Sequence, residues 1–174
     1  MSGNIEAEPL KTSSSGTFIS TEINTGGDPL KAVYLNFKGK GTVLGPFSAQ
    51  AFNESQVILS PPPPNCTLPN GTPGIQLGIV QGKFVFRKES TGDLLLSEVS
   101  SQANCLSVAC GVPPQAGCIF SINQQHTITG GTDQFAEASG SFQVTGIGEF
   151  LVGGPAGSFG FFTTESEGEI NIPH

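Results

Sequence analysis

The sequence lacks tryptophan altogether, contains a single tyrosine, and is poor in charged side chains. Asp, Glu, Lys and Arg make up 12% of the chain, and the acidic residues outnumber the basic ones to give a net charge of −7. Nucleic acids and anionic membrane surfaces attract basic proteins, so this balance argues against both as partners. The chain also has no apolar run near the ~20 residues that a membrane-spanning helix needs. We therefore expect no nucleic-acid partner and no membrane span.

Helical periodicity is missing as well, whereas glycine and proline are frequent. The 174 residues include 24 glycines and 13 prolines, a composition typical of an all-β domain with many turns. Eight segments are rich in β-branched or aromatic residues and have turn residues at their ends. Residues 1–14 precede these segments, and we expect them to be a flexible extension of a single β domain over residues 15–174. The predicted strands are 15–24, 31–43, 46–59, 76–89, 93–102, 117–129, 139–152 and 157–171.

Eight antiparallel strands of this length close naturally into an up-and-down β-barrel, which removes both sheet edges. A β-sandwich of two four-stranded sheets is the alternative. A barrel of eight strands has either an interior filled by side chains or room for one small ligand. In the last strand, Glu165, Glu167 and Glu169 share one face, and this acidic row is typical of a solvated strand edge.

Four cysteines lie in loops rich in Pro, Gly and Asn, after the third and fifth predicted strands. Loops that follow odd-numbered strands emerge at the same end of a meander. Cys66 is therefore predicted to pair with Cys105, Cys110 or Cys118, while the other two close the loop over residues 102–117. Which of the three pairings forms stays open. Zinc is a rival interpretation, although the sequence has no Cys-x-x-Cys pair.

Disulfides would place the protein in an oxidising compartment, periplasmic or extracellular. Residues 1–9 have neither the basic nor the apolar region of a signal peptide. Export would therefore require a leader removed before Met1, and a cytoplasmic location stays open.

Familiar catalytic motifs are missing. The run Gly130-Gly131-Thr132 is not followed by the Lys-Ser/Thr of a phosphate loop and does not open a predicted helix. His126, in a polar segment of the sixth predicted strand, is expected to be exposed. The sequence has neither a Gly-x-Ser-x-Gly elbow nor a His-Glu-x-x-His motif. We therefore predict no cofactor and no metal site.

Four polar residues on the predicted strands are candidates for chemistry inside a barrel. Glu98 and Glu54 each follow apolar residues on one face of a strand, and Tyr34 and Arg87 are the only tyrosine and the only arginine. A carboxyl group inside an apolar barrel would have a raised pKa and could act as a general acid. The alternative is that each of these side chains points to water.

Three motifs resemble those of bacterial β-barrel proteins similar to allene oxide cyclases and plant dirigent proteins. They are "GKGTVLGPFSAQA" (39–51), "GKFVFRKESTGDLLLSE" (82–98) and "ITGGTDQFAEASGSFQVTG" (128–146), which occur in this order. The resemblance implies an eight-stranded barrel, forming a homodimer or homotrimer, that holds an apolar, unsaturated small molecule. It also implies ring closure or coupling directed by shape, without a cofactor.

Three functions follow as hypotheses. The first is a cofactor-free cyclase or isomerase that folds a lipid-, polyketide- or terpenoid-like substrate into a near-attack conformation. The second is a barrel that binds or carries an apolar ligand without reacting it. The third is an exported structural protein with a filled interior. A cavity in the barrel would favour the first two over the third.

Overall fold

The computed structural model describes residues 5–22, 30–58, 61–111, 114–154 and 157–173. Eight long strands in these residues form one closed antiparallel β-barrel, which confirms the predicted fold class. A two-residue strand, β4, adds to the end of β5. The strands are β1 (Ile5–Glu22), β2 (Leu30–Gly41), β3 (Gly45–Ile58), β4 (Cys66–Thr67), β5 (Pro73–Lys88), β6 (Leu94–Ser107), β7 (Ile119–Gly131), β8 (Ser139–Val152) and β9 (Gly157–Pro173).

The chain runs up and down around the barrel, with each long strand paired to the next. Two further features complete the circle: β3 pairs with β5 across the β4 loop, and β1 pairs with β9. Two 3-10 turns, Val108–Cys110 and Asp133–Phe135, lie in the connections. No helix in the described ranges is long and apolar enough to cross a membrane.

The first strand is longer than the sequence predicted. Residues 5–14 were expected in a flexible segment, but β1 begins at Ile5 and its ladder with β9 runs from Ile5–Pro173 to Thr21–Gly157. Leu10 is almost fully buried and Ser14 is buried beside it. The serine-rich stretch that suggests a linker instead supplies small side chains to the barrel interior. Residues 1–4 lie outside the described residues.

The acidic row of the last strand also has a different setting from the one expected. Glu165, Glu167 and Glu169 are exposed, as predicted. However, β9 lies between β1 and β8 and is not an edge. The acidic row therefore faces solvent from the outer wall of a closed barrel, where carboxylates keep their hydration.

One end of the barrel is closed by packed side chains. Phe135, carried by the 3-10 turn between β7 and β8, is fully buried there, together with Leu44 and Phe47. Phe37, Phe47 and Phe86 pack edge to face, with ring centroids 5.7–6.4 Å apart. Edge-to-face pairs of this kind stabilise a core beyond their buried area, by about 0.5–1.5 kcal/mol each. This end therefore has no room for a ligand.

The opposite end carries the long connections and all four cysteines, as the meander predicted. Cys66 pairs with Cys105 and joins the loop after β3 to β6, with a Cα–Cα distance of 5.9 Å. Cys110 pairs with Cys118 and closes the loop between β6 and β7, with a Cα–Cα distance of 5.5 Å. The predicted set of pairings is confirmed, and the structure selects one member of it. Disulfides thus brace two of the four connections that frame this end.

Candidate functional site

A cavity of about 300 Å3 lies inside the barrel at the disulfide-braced end. Its walls are mainly apolar, because the inward-facing positions of most strands carry Phe, Val, Leu or Ile at this level. Lys31 is the one charged residue among the described residues that line it. The apolar lining residues are Phe18, Val33, Leu35, Val57, Leu77, Ile79, Pro114, Phe120, Ile122, Phe150 and Phe162.

Four amide side chains interrupt this apolar lining. They are Asn53 and Gln56 on β3, Asn104 on β6 and Gln124 on β7. Asn53 is 5% exposed, and its Oδ1 is buried without a hydrogen-bond partner among the described residues. An unpaired buried amide costs about 1–3 kcal/mol. Oδ1 of Asn53 is therefore an energetic cost to the folded barrel.

Asn104 and Gln124 belong to a chain of hydrogen bonds that runs along β7. The backbone N–H of Asn123 donates to Oδ1 of Asn104 at 3.4 Å, and Nε2 of Gln124 donates to the same oxygen at 3.0 Å. Beyond Gln124 lies His126, whose Nε2 is 3.3 Å from Oε1 of Gln124. Nδ1 of His126 is 3.1 Å from the hydroxyl of Ser97, which ends the chain.

The direction of every bond in this chain follows from its first donor. A backbone N–H can only donate, so the atom of Asn104 that it meets is the carbonyl oxygen. Gln124 must then turn its amino group to Asn104 and its oxygen to His126. His126 consequently carries its proton on Nε2 and accepts a hydrogen bond from the Ser97 hydroxyl at Nδ1. The result is a neutral imidazole with both nitrogens satisfied.

His126 is buried, which corrects the expectation that it is exposed. Its side chain is 1% exposed and stacks on Phe142 at a centroid distance of 4.8 Å, with Phe84 packed edge-on at 4.4 Å. Burial away from water lowers the pKa of His126 to about 3, because the charged imidazolium would lose its hydration. The ring is thus a neutral structural link at ordinary pH and a weak base.

The hydrogen-bond chain lies where two strands of the barrel separate. The backbones of β6 and β7 pair at Glu98–Thr127 and again at Cys105–Ser121, but not between these points. Side-chain bonds from Asn104 to β7 span part of this interval. The polar chain therefore replaces ladder bonds and fixes the cavity wall on this side.

A second, smaller space of about 40 Å3 lies deeper in the barrel, and Gln124 borders both. It is lined partly by hydroxyl groups that pair across β1 and β9. Thr12 bonds to Ser166 at 2.6 Å, and Ser14 bonds to Thr164 at 2.7 Å. These hydroxyls satisfy one another, and the other residues around this space are mainly apolar.

The four predicted catalytic residues all lie on the outer face of the barrel. Glu98 forms an ion pair with Lys83, and Glu54 accepts a hydrogen bond from Gln81 at 2.9 Å. Tyr34 and Arg87 are exposed. The residues next to Glu54 and Glu98 in the sequence, such as Asn53 and Ser97, face the barrel interior instead. The structure therefore does not bring these four side chains into the cavity.

The interior polar residues that the sequence interpretation missed do leave a pattern. On β7 the inward positions are Phe120, Ile122, Gln124, His126 and Ile128, an apolar row with two polar members. Such an interruption of a period-two apolar face signals a buried polar group.

No protein-family model matches the chain, and no curated protein or solved structure is significantly similar to it. The resemblance to allene oxide cyclases and dirigent proteins therefore stays a prediction that depends on the sequence motifs.

Proposed function

We propose that the protein binds an apolar small molecule in the cavity at the disulfide-braced end of the barrel. The observation that carries this proposal is the cavity itself, about 300 Å3 with an apolar lining. This volume lies at the lower end of the range for small-molecule sites, about 300–1,000 Å3. The packed phenylalanines at the other end show that the sequence can fill a barrel, so the empty end is not a consequence of barrel size.

The cavity wall is preformed, which favours binding. The disulfides and the chain from Ser97 to Asn104 hold the wall in place before a ligand arrives. A rigid site loses less conformational entropy on binding than a flexible one. The apolar surface that a ligand removes from water supplies the driving force, at roughly 25 cal/mol per Å2.

Cyclase or isomerase activity is a second proposal, supported by the amide groups of the cavity. Asn53, Asn104 and Gln124 could polarise an oxygen atom of a folded substrate while the walls hold its reacting atoms together. No acidic side chain is found among the described lining residues, so this proposal depends on shape and neutral hydrogen bonds. Product analysis after incubation with polyene or epoxide substrates tests it. Product ratios equal to those in buffer would remove the enzymatic proposal and leave binding intact.

An oxidising location, periplasmic or extracellular, is proposed from the cysteines. All four described cysteines lie in two disulfide pairs, which persist outside a reducing cytosol. Mass spectrometry of the protein from its native source, with free thiols blocked, tests this location. Four blocked thiols would contradict it.

Self-association as a homodimer or homotrimer is proposed from a row of exposed apolar side chains. Phe52, Tyr34, Ile19, Phe159 and Val152 are direct cross-strand partners on the outer wall. With strands about 4.8 Å apart, the row spans about 19 Å across five strands. Sedimentation of the wild type and of Ile19→Lys tests this proposal. A wild type that stays monomeric at high concentration would contradict it.

Titration with N-phenyl-1-naphthylamine, a neutral apolar fluorophore, tests the binding proposal directly. We expect saturable binding by the wild type. Val33 lines the cavity, whereas Val85 is exposed on the outer wall, so Val33→Trp should weaken binding at least tenfold and Val85→Trp should not. The chain has no native tryptophan, so each variant also reports its distance to the probe by energy transfer. Equal binding by the two variants would contradict the proposal.

A further inference from the structure

We propose that the ligand of this cavity is a neutral apolar molecule with an acceptor oxygen, such as a ketone or an ester carbonyl. The acceptor would bind the side-chain N–H groups of Asn53, with those of Asn104 and Gln124 lining the same cavity. This inference rests on the proposed binding function and names the chemical class that the cavity selects.

Asn53 supplies the first argument, because neither end of its amide has a conventional hydrogen-bond partner in the described part of the chain. The buried Oδ1 lies against Gly82 on β5, in the position that a β-carbon of that residue would occupy. A glycine Cα–H points in that direction and is a weak donor to oxygen. With Oδ1 against β5, Nδ2 has no hydrogen-bond partner among the described residues, and Asn53 lines the cavity.

The hydrogen-bond chain along β7 supplies the second argument. Oδ1 of Asn104 is already occupied by two donors, from Asn123 and Gln124. The amino group of Asn104 has no partner among the described residues, and Asn104 lines the cavity. Gln124 uses Oε1 for His126 and one N–H for Asn104, which leaves its second N–H. The amide oxygens of Asn104 and Gln124 are therefore occupied, while an N–H group of each has no partner in the described ranges.

The unpaired amide donors also disfavour other classes of ligand. A hydrocarbon would leave the amide donors unpaired in a dry cavity. Leaving a buried polar group unpaired typically costs about 1–3 kcal/mol. An amine would place donors against donors. A carboxylate would have to lose its hydration opposite neutral amides. Lys31, the one cation of the described lining, is only half-buried, so nonanoate is included among the competitors to test this class. A carbonyl oxygen accepts from an amide N–H and carries no charge.

Competition against bound N-phenyl-1-naphthylamine by matched nine-carbon chains tests the inference. The key pair is 2-nonanone and 2-methyl-1-nonene, in which a C=CH2 group replaces C=O at nearly the same shape. The ratio of their dissociation constants is compared between the wild type and Asn53→Leu, because this double comparison cancels the hydration of the ketone. We expect the preference for the ketone to fall about 3- to 10-fold in Asn53→Leu. Asn36→Leu on the outer face of β2 is the matched control and should keep the wild-type ratio.

Asn53→Asp provides a second variant that keeps the shape and replaces the donors by acceptors. It should weaken 2-nonanone and strengthen 2-aminononane relative to the wild type. Equal ketone-to-alkene ratios in the wild type and Asn53→Leu, or a wild-type preference for the amine or for nonanoate, would overturn the inference. These outcomes are distinct from a failure of the binding proposal, in which the fluorophore itself does not bind.

Discussion

Nε2 of His126 lies 3.3 Å from Oε1 of Gln124 inside the barrel, and this contact connects the closed core to the cavity. On one side His126 packs between Phe84 and Phe142. On the other side Gln124 borders the cavity and holds Asn104. A ligand at Gln124 would therefore contact an amide whose orientation is fixed by Asn104 and whose oxygen is bonded to the buried histidine.

The buried histidine predicts a pH-dependent stability. The pKa of His126 is lowered from 6.5 to about 3 in the folded protein, whereas the unfolded chain titrates near the ordinary value. Above pH 6.5 the ring is neutral in both states, so its contribution is fully present. As pH falls below 6.5 the unfolded chain binds a proton that the folded protein does not, and stability falls by up to about 1.4 kcal/mol per pH unit. The loss should reach about 2 kcal/mol at pH 5.

Urea unfolding at pH 7.5 and pH 5.0 measures this loss of stability. Most carboxyl groups stay ionised over this pH range. His126→Phe should be less stable at pH 7.5, since Ser97 and Gln124 lose a partner, but should show a smaller decrease toward pH 5.0. Equal decreases in the wild type and the variant would contradict a neutral buried His126.

Asn53 predicts that a variant can be more stable and less functional. Replacement by leucine removes a buried oxygen that has no partner and keeps the branching at Cγ, so Asn53→Leu should raise the free energy of unfolding by about 1–2 kcal/mol. Thermal and urea unfolding of the ligand-free protein measure the change. A destabilised Asn53→Leu would mean that the amide contributes to folding and that its place at the cavity has a structural cause.

The barrel could be predicted from the sequence because its signals are local. Eight segments with period-two alternation and short turns fix the number of strands, and the placement of the long loops fixes which end carries the cysteines. The start of β1 was not predicted, because Ser13, Ser14 and Ser15 resemble a linker and their pairing partner lies about 150 residues away in the sequence.

The inner face of each strand was harder to predict because both faces carry apolar residues. On β3 Phe52 is 51% exposed on the outer wall, and its presence suggested that Glu54 on the same face points inward. The true inner face contains the small residues Ala49 and Ala51 before Asn53. On β3 the inner face thus carries small residues next to the exposed Phe52, so side-chain size did not indicate which face is buried.

The outer position of the predicted catalytic residues leads to a negative prediction. Glu98→Gln and Glu54→Gln should leave the affinity for N-phenyl-1-naphthylamine unchanged, because neither side chain borders the cavity. Loss of the exposed Lys83–Glu98 ion pair should change stability by less than about 1 kcal/mol. Fluorescence titration and urea unfolding measure both quantities. A tenfold loss of affinity in either variant would show that the outer wall takes part in binding.

The two disulfides predict unequal contributions to stability. The Cys66–Cys105 bond closes a loop with a sequence separation of 39, whereas Cys110–Cys118 spans 8. In the chain-entropy model, disulfides that close loops of these lengths stabilise the folded protein by about 4 and about 2.5 kcal/mol, respectively. Double serine variants of each pair, compared by urea unfolding, test the order. A larger loss for the Cys110–Cys118 pair would contradict the entropic account.

The most direct test of the central claim is the location of a bound apolar molecule. Intermolecular nuclear Overhauser effects from N-phenyl-1-naphthylamine to methyl-labelled protein distinguish the cavity from the outer wall. We predict contacts to the methyl groups of Leu77, Ile79 and Ile122, which line the cavity. Contacts confined to exposed methyl groups such as those of Ile19 and Ile147 would contradict the account.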